Sequence, residues 1–189
     1  MIDKSLYDGD LVFLGAFNDE EDAILEAAYS HDPAYAYYLS QPAMSLSVDE
    51  VKKRHERLIN KSENTGSSFI FAIKLILENR LIGFLSFDQI AWTHGSADLT
   101  LAVGDRSVLF DSIREAFQLG LVYAFLELNL FRLTMKVPDY DPYTLKILEM
   151  AGFVREVSQR EAEYFDNRFW DLHYYGLLKE DWEKEGEHA

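Results

Sequence analysis

The sequence predicts an α/β (α+β) fold in which a mixed sheet carries helices on both faces. The first observation is the order of the hydrophobic patterns, which read β-α-α-β-β-β-α-β-α-β-β along the chain. The second is that no linker, repeat or low-complexity tract divides the 189 residues. The third is a hydrophobic content of 48%, which is enough for one core at this length. We therefore expect a single domain over residues 1–182 and a short acidic tail over residues 183–189.

The charge of the chain narrows the range of partners. The 33 acidic residues outnumber the 18 basic ones, and the formal net charge is −15. Because phosphate backbones and anionic membranes bind basic surfaces, we expect neither a nucleic acid nor a membrane as partner. An acidic surface first of all favours solubility. It also attracts a cationic acceptor, such as an amine or a basic protein segment.

The number of cysteines and the length of the apolar runs indicate the cellular compartment and exclude some site chemistries. The sequence has no cysteine, which excludes disulfides, thiolate metal sites and a cysteine nucleophile. No apolar run has the length of a membrane span, and the start MIDKSLYDGD lacks the basic and then apolar build of a signal peptide. We therefore expect a cytoplasmic protein without a metal centre.

The first half of the chain supplies two helices and most of the sheet. A strand over DLVFLGAF is followed by a helix after Asn18, and a second helix begins at the capping box formed by Ser47 and Glu50. His55 lies on the apolar face of that helix, where a histidine is more often packed than a ligand. Three strands follow, over SFIFAIKLIL, RLIGFLSFDQI and SADLTLAV, and Gly83 within the second predicts a bulge or a close backbone approach.

The second half alternates helices and strands. A long helix is expected from about residue 112 to residue 129, and the strand FRLTMKV follows it. A short helix then begins at Asp141 as N-cap with Pro142 at its first position, and Gly152 closes it. The last two strands, VSQREAEYF and RFWDLHYYGLL, flank a turn at Asp166 and Asn167.

The stretches LNLFRLTMKVPDYDPYTLKILEMAGFVREVSQREAEYF and WDLHYYGLLKEDW resemble the Gcn5-related N-acetyltransferases (GNAT), in the branch of the ribosomal-protein N-terminal alanine acetyltransferases. The resemblance covers the order of elements over essentially the whole chain. It implies a mostly antiparallel sheet that splays at its centre, between the strand ending near Val103 and the strand over residues 131–137, to admit pantetheine. The residues that carry it are Leu130, Arg132, Val137, Leu148, Glu149, Gly152, Phe153, Glu156, Arg160, Glu161, Asp171, Tyr175, Leu178 and Trp182.

The resemblance implies transfer of an acetyl group from acetyl-coenzyme A to a primary amine, on a small molecule or a protein N-terminus, without a metal. Such a reaction requires a base for the ammonium, an amide donor for the thioester carbonyl and an acid for the departing thiolate. The family pattern assigns the base to Glu163 and the proton donor to Thr144, and Asp98 is the second candidate base. The alternative for Glu163 is an ordinary surface acid on a strand that turns Ala162 and Tyr164 inward.

The cofactor residues also follow from the resemblance. Pantetheine would lie along a strand edge and contact the position of the family's asparagine, which is an aspartate here. The family loop R-G-x-G-x-G/A, which encloses the pyrophosphate with its backbone amides, corresponds here to residues without glycine or arginine. The implied cofactor residues are Leu101, Ala102, Val103, Val108, Leu109, Asp111, Ile113 and Asp141.

The replaced loop leaves two functions open. A carboxylate at Asp111 about 5 Å from a phosphate, at an effective dielectric near 20, would repel it by roughly 3 kcal/mol. Without a phosphate, Asp111 is a plausible N-cap, and Ser112 with Glu115 offers an alternative capping box. The protein is then either an acetyltransferase that holds coenzyme A unusually or an inactive GNAT-fold module for binding or dimerisation, which could form a homodimer.

Overall fold

A computed structural model describes residues 7–18, 20–39 and 44–186 of the protein. Residues 187–189 of the predicted acidic tail lie outside the described residues. The strands are β1 (Val12–Gly15), β2 (Phe69–Leu75), β3 (Leu81–Ala91), β4 (Ser96–Val103), β5 (Arg132–Pro138), β6 (Val154–Phe165) and β7 (Arg168–Leu178). The helices are α1 (Asp22–Tyr29), α2 (Pro33–Leu39), α3 (Val48–Thr65), α4 (Phe110–Val122), α5 (Pro142–Met150) and α6 (Lys179–Gly186), with a π-helical turn over Tyr123–Glu127.

The strands form one mixed sheet in the order β1-β2-β3-β4-β5-β7-β6. All neighbours are antiparallel except β4 and β5, which run parallel. That parallel pairing starts at Ser96 with Arg132 and ends at Asp98 with Thr134. Beyond this point the rest of β4 separates from the rest of β5. The predicted splay at the centre of the sheet is therefore confirmed, and we call the space between the two strands the gap.

Helices cover both faces of the sheet, as predicted. On one face, Phe117 of α4 and Leu148 of α5 belong to the main core, together with inward side chains such as Leu101 of β4. On the other face, Tyr35 of α2 packs with Phe84 and Ala102. Neighbouring residues of β4 thus serve opposite cores, which is the period-two alternation of a strand buried on both sides.

Several local predictions hold in the structure. Ser47 caps α3 in a reciprocal capping box with Glu50. A Cβ atom at Gly83 would lie 2.1 Å from the carbonyl oxygen of Ala102, so the close backbone approach there requires glycine. His55 is buried, with Nε2 2.5 Å from the Glu26 carboxylate, and is packed as expected.

Two helical segments differ from the sequence prediction. Helix α2 was not predicted; Asp32 caps it by accepting the amide of Ala34 at 2.8 Å, and burial of Tyr35 holds it against the sheet. The long helix begins at Phe110 rather than at residue 112, with Leu109 at its N-cap and no side-chain cap. Within residues 7–18, 20–39 and 44–186, none of the helices has both the length and the apolar character needed to cross a membrane.

Candidate active site

The gap exposes backbone groups of β4. Gly104 donates its amide to the Ile82 carbonyl at 2.9 Å, and the register of β3 and β4 continues from that pair. Because alternate residues of an antiparallel strand bond to the same neighbour, Leu101 and Val103 direct their N–H and C=O groups away from β3 and into the gap. Ala102 directs its N–H and C=O groups towards β3. Two of the three strand residues predicted to hold the cofactor therefore offer backbone groups there.

Asp141 is buried at the start of α5 and is surrounded by donors. Its carboxylate accepts from the Thr144 amide at 3.4 Å, from the Tyr38 hydroxyl at 3.1 Å and from Arg106 Nη2 at 3.2 Å. The N-cap prediction for Asp141 is confirmed. Its charge is compensated by Arg106, so the aspartate in the family's asparagine position adds little net negative charge to the site.

Tyr38 and Thr144 form a hydroxyl pair beside this carboxylate. Thr144 is buried, and the interaction of its hydroxyl with Tyr38 partly offsets the rise in the pKa of that phenol. Burial, followed by the charge of Asp141, raises the pKa of Tyr38 well above its usual value. The phenol therefore stays protonated at neutral pH, and its hydroxyl donates to the Asp141 carboxylate.

A β-bulge turns Glu163 inward. The register between β6 and β7 shifts between Gln159 and Glu163, and Glu161 within the bulge has a positive φ of 53°. Beyond the shift, the Glu163 side chain is partly buried, whereas Ala162 and Tyr164 are exposed. The alternative in which Ala162 and Tyr164 face inward is therefore wrong. Bulges often redirect a side chain next to an active site.

The Glu163 side chain lines a cavity of about 360 Å³ that also has aromatic walls. Burial raises the pKa of its carboxyl, which makes Glu163 a stronger base than an exposed glutamate. Burial, followed by the charge of Glu163, raises the pKa of Tyr140 to about 12 and also raises that of Tyr37. The cavity is lined by Ser30, His31, Pro33, Ala36, Tyr37, Met44, Ser45, Tyr140, Glu163, Tyr164 and Phe165.

Asp98, the second candidate base, lies at the last pair of the β4–β5 ladder. Its carboxylate is 3.8 Å from Lys136 Nζ, and that ammonium lies 5.6 Å from the ring centroid of Tyr174. Asp98 therefore lies where the gap begins, next to a cation that competes for its carboxylate.

The loop between β4 and α4 carries the residues that were predicted to replace the family's phosphate loop. Val108 packs on the main core, and Ile113 is fully buried in it. Leu109 is 71% exposed, and Asp111 is an exposed side chain paired with Arg114 at 3.3 Å. Because Asp111 points to solvent beside a cation, its repulsion of a bound anion is reduced.

Glu115 does not form the capping box predicted with Ser112. Its carboxylate instead accepts the backbone amides of Asp10, Leu11 and Val12 at 2.7 to 3.0 Å. Helix α4 is thereby tied to the entry of β1. Three backbone amides distant in sequence thus take the place of the local cap, and Glu115 has a structural role here.

Several site residues were missed in the sequence. Tyr37 and Tyr38 come from α2, the helix that was not predicted, and Tyr140 comes from the β5–α5 loop. Arg106 follows β4 two residues before the position where the family arginine was expected. The available signals were the tyrosine-rich stretch YAYY and a lone arginine at a strand-to-helix junction. Within the part of the chain that the structure describes, no group of three or more His, Asp or Glu side chains could hold a metal ion.

The sequence has relatives among bacterial acetyltransferases. No protein-family model matches the chain. The p20 protein of Bacillus licheniformis, an uncharacterized N-acetyltransferase by name, is 26% identical over 162 residues, which span 86% of this chain and 90% of p20. YdaF of Bacillus subtilis, whose name places it among putative ribosomal N-acetyltransferases, is 27% identical over 111 residues, 59% of this chain and 61% of YdaF.

Solved structures with the same fold are acetyltransferases as well. A GNAT-family acetyltransferase from Bacillus anthracis has a TM-score of 0.74 at 21% identity, covering 92% of this chain and 98% of that chain. Spermidine N-acetyltransferase from Vibrio cholerae, in complex with CoA and spermine, has a TM-score of 0.73 at 21% identity, covering 92% and 99%. At this identity the likeness establishes the fold. The chain is therefore similar in sequence to proteins named N-acetyltransferases, and it shares its fold with a GNAT-family acetyltransferase.

Proposed function

We propose that this protein is an acetyl-CoA-dependent N-acetyltransferase that acts on a primary amine. The observation that carries the proposal is the position of Glu163, which a bulge turns into an aromatic cavity and whose pKa is raised by burial. A surface acid requires neither feature. The names of the sequence relatives and the shared fold support the same reaction.

The reaction requires two proton transfers that involve protein groups, one from the acceptor ammonium and one to the departing thiolate. Glu163 takes a proton from the bound ammonium, and the neutral nitrogen attacks the thioester carbonyl carbon. The new C–N bond forms, the nitrogen then releases its second proton to solvent, the C–S bond breaks, and CoA leaves as a thiolate. Amide groups of β4 that point into the gap, at Leu101 and Val103, are the donors available to the carbonyl oxygen.

We assign protonation of the thiolate to the Tyr38–Thr144 pair. Burial keeps the Tyr38 phenol protonated, and its hydrogen bond to Asp141 holds it beside Thr144. The family pattern points to Thr144 alone, and the contact between the two hydroxyls extends that assignment to Tyr38.

The cavity suits a cationic acceptor. Neutral phenol rings at Tyr37 and Tyr140 meet edge to face, 6.4 Å apart, beside the Glu163 carboxylate. Aromatic faces and a carboxylate together attract an ammonium before it is deprotonated. The Vibrio cholerae relative was crystallised with spermine. This cavity has one carboxylate among its lining residues, so we propose a primary amine with an apolar body as the preferred acceptor here.

The test compares the wild type with two glutamine variants. Purified protein is mixed with acetyl-CoA and a panel of primary amines, and both the free thiol and the acetylated amine are measured. We expect Glu163→Gln to lower turnover by roughly 10² to 10⁴, the usual contribution of a positioned base. Glu161→Gln makes the same change two residues away on the exposed side of the bulge and should leave turnover within twofold (about 0.4 kcal/mol) of the wild type.

The outcome also separates the enzyme from a binding module. If Glu163→Gln leaves turnover unchanged while Asp98→Asn abolishes it, the base is Asp98. If the wild type acetylates none of the amines, the proposed function is wrong and the fold serves binding alone.

A further inference from the structure

The hairpin of β6 and β7 carries an exposed arginine next to its turn, on the same face as Glu163. Glu163 stands opposite Trp170 in the ladder, and Phe165 stands opposite Arg168. Opposite residues share a face, and alternate residues of a strand return to it, so these four side chains lie on one face of the hairpin. Because Glu163 and Phe165 line the cavity, Arg168 lies beside the cavity wall.

The Arg168 guanidinium is held in place by Trp170. Its carbon lies 3.3 Å from the centroid of the indole ring. Trp170 Nε1 donates to the Phe165 carbonyl at 2.9 Å, and the indole meets the Tyr140 ring edge to face at 5.6 Å. A guanidinium that stacks on a ring keeps the N–H donors at its edge available to a ligand. The side chain is therefore positioned in advance, which lowers the entropy lost on binding.

Arg168 brings an uncompensated positive charge to an acidic protein. Among the residues that the structure describes, no carboxylate lies within ion-pair distance of its guanidinium, and its recorded contact is the Trp170 ring. Within the same part of the chain, Glu163 has no cation at that distance, and its pKa is raised by burial alone. This face of the hairpin thus carries a separate negative and positive group rather than an ion pair.

The spacing of the two groups limits the length of a ligand that reaches both. Glu163 and Arg168 are diagonal neighbours across the hairpin, and such neighbours have Cα atoms roughly 7 to 8 Å apart. The rings of Tyr140 and Phe165, with centroids 4.8 Å apart, also line this cavity. A molecule that fits has an ammonium at one end, a carboxylate at the other and an apolar spacer between them.

We infer that Arg168 selects acceptors whose amine is joined through an apolar spacer to a carboxylate, with Glu163 on the ammonium and Arg168 on the carboxylate. The inference rests on the proposed function, which places the reacting amine at Glu163. A guanidinium and a carboxylate form a charge-assisted pair that two parallel hydrogen bonds can orient. Such an acceptor is neutral overall, so the net charge of −15 does not repel it. Arg168 determines specificity and takes no part in acetyl transfer.

The experiment uses three acceptors that differ in one group: benzylamine, 4-(aminomethyl)benzamide and 4-(aminomethyl)benzoate. Initial rates with acetyl-CoA give kcat/KM for each acceptor, at about 0.15 M salt so that long-range attraction is screened. Calorimetry in the presence of CoA gives their affinities. The variants are Arg168→Gln and Arg168→Lys. The matched control is Arg155→Gln, an exposed arginine of β6 that stands opposite Tyr175, whose side chain belongs to the main core on the other face of the sheet.

The wild type should prefer the benzoate to the benzamide by about tenfold in kcat/KM, the contribution of one charge-assisted contact. Arg168→Gln should remove this preference and leave kcat/KM for benzylamine and for the benzamide within about twofold of the wild type. Arg168→Lys should keep part of it, because the ammonium retains the charge without the planar fork. Arg155→Gln should keep all of it. Loss of packing on Trp170 alone would lower the rates with all three acceptors together, so the ratio separates ion pairing from a structural role.

Two results would overturn the inference and leave the proposed function intact: a wild type that acetylates amines without preferring the benzoate, or a preference that persists in Arg168→Gln. If none of the three acceptors is acetylated, the affinities decide the inference separately from the reaction. Tighter binding of the benzoate that is lost in Arg168→Gln would then uphold the carboxylate site. Equal binding of the benzoate and the benzamide would overturn it.

Discussion

Glu163 should reduce the stability of the fold at neutral pH. Burial raises the pKa of this carboxyl above its ordinary value of 4.5, so the folded protein holds the proton more tightly than the unfolded chain. Stability from this group is therefore fully present below about pH 4.5 and is lost as pH rises through the raised pKa. We expect Glu163→Gln, which is neutral at every pH, to be more stable than the wild type at pH 8.

The measurement is urea unfolding of both proteins between pH 8 and pH 5. The difference in free energy of unfolding should shrink as pH falls through the raised pKa, because the wild-type carboxyl then becomes neutral as well. Glu161→Gln, on the exposed side of the bulge, should show no such trend. A Glu163→Gln variant that is less stable than the wild type at pH 8 would mean that the carboxylate makes a favourable contact in the fold.

The sequence led to the candidate residues on one side of the site and missed those on the other. Glu163, Thr144 and Asp141 lie within one stretch of ordered motif residues, so their spacing could be compared with a family pattern. Tyr38 and Arg106 reach the same place from distant segments, through contacts that only the tertiary structure creates. Side-chain direction was a further limit, because a bulge reverses which residues of β6 face inward.

Helix α4 begins without a side-chain cap, which gives a direct stability prediction. Leu109 stands at the N-cap and is 71% exposed, so it contributes little to the core there. Leu109→Ser should stabilise the protein by about 1 kcal/mol, because a serine oxygen can accept an amide of the first turn. Urea unfolding measures the change.

Leu77→Ser is the matched control for this prediction. Leu77 is 98% exposed and lies outside the helices, so the same chemical change removes exposed apolar surface without creating a cap. Equal free energies of unfolding for Leu109→Ser and Leu77→Ser would contradict the capping argument.

Predictions of whole elements succeeded where local signals were strong. The capping box at Ser47 and the N-cap at Asp141 mark helix starts by short-range chemistry, and both hold. Helix α2 has seven residues and is stabilised by burial of Tyr35 against the sheet, which local propensity does not encode. For Glu115 the local pattern was misleading. The sequence predicted a capping box, but the carboxylate accepts hydrogen bonds from backbone amides that are distant in sequence.

The two halves of the sheet are joined at the centre by a short parallel ladder, from Ser96 with Arg132 to Asp98 with Thr134. A ligand in the gap would contact both halves and stabilise only the folded protein. At one hundred times its dissociation constant, CoA should raise the free energy of unfolding by about 2.7 kcal/mol. For a chain of this size, that corresponds to an increase in Tm of roughly 5 to 10 °C.

Thermal unfolding with increasing CoA measures this effect. Inorganic pyrophosphate at equal ionic strength controls for general anion effects and should produce a smaller shift. No shift at millimolar CoA would indicate that the gap does not take the cofactor, whatever the fold of the chain.

The bulge in β6 also affects how the molecule meets its neighbours. β6 is a twelve-residue strand at the edge of the sheet, and its side chains are mostly exposed. A long, regular edge invites a strand from another chain to add to it, which is a route to aggregation. The register shift before Glu163 interrupts that edge and twists it. A change that straightened β6 would therefore remove the proposed base Glu163 from its cavity and lengthen the regular edge open to strand addition. Loss of the proposed activity and loss of solubility should then arise together.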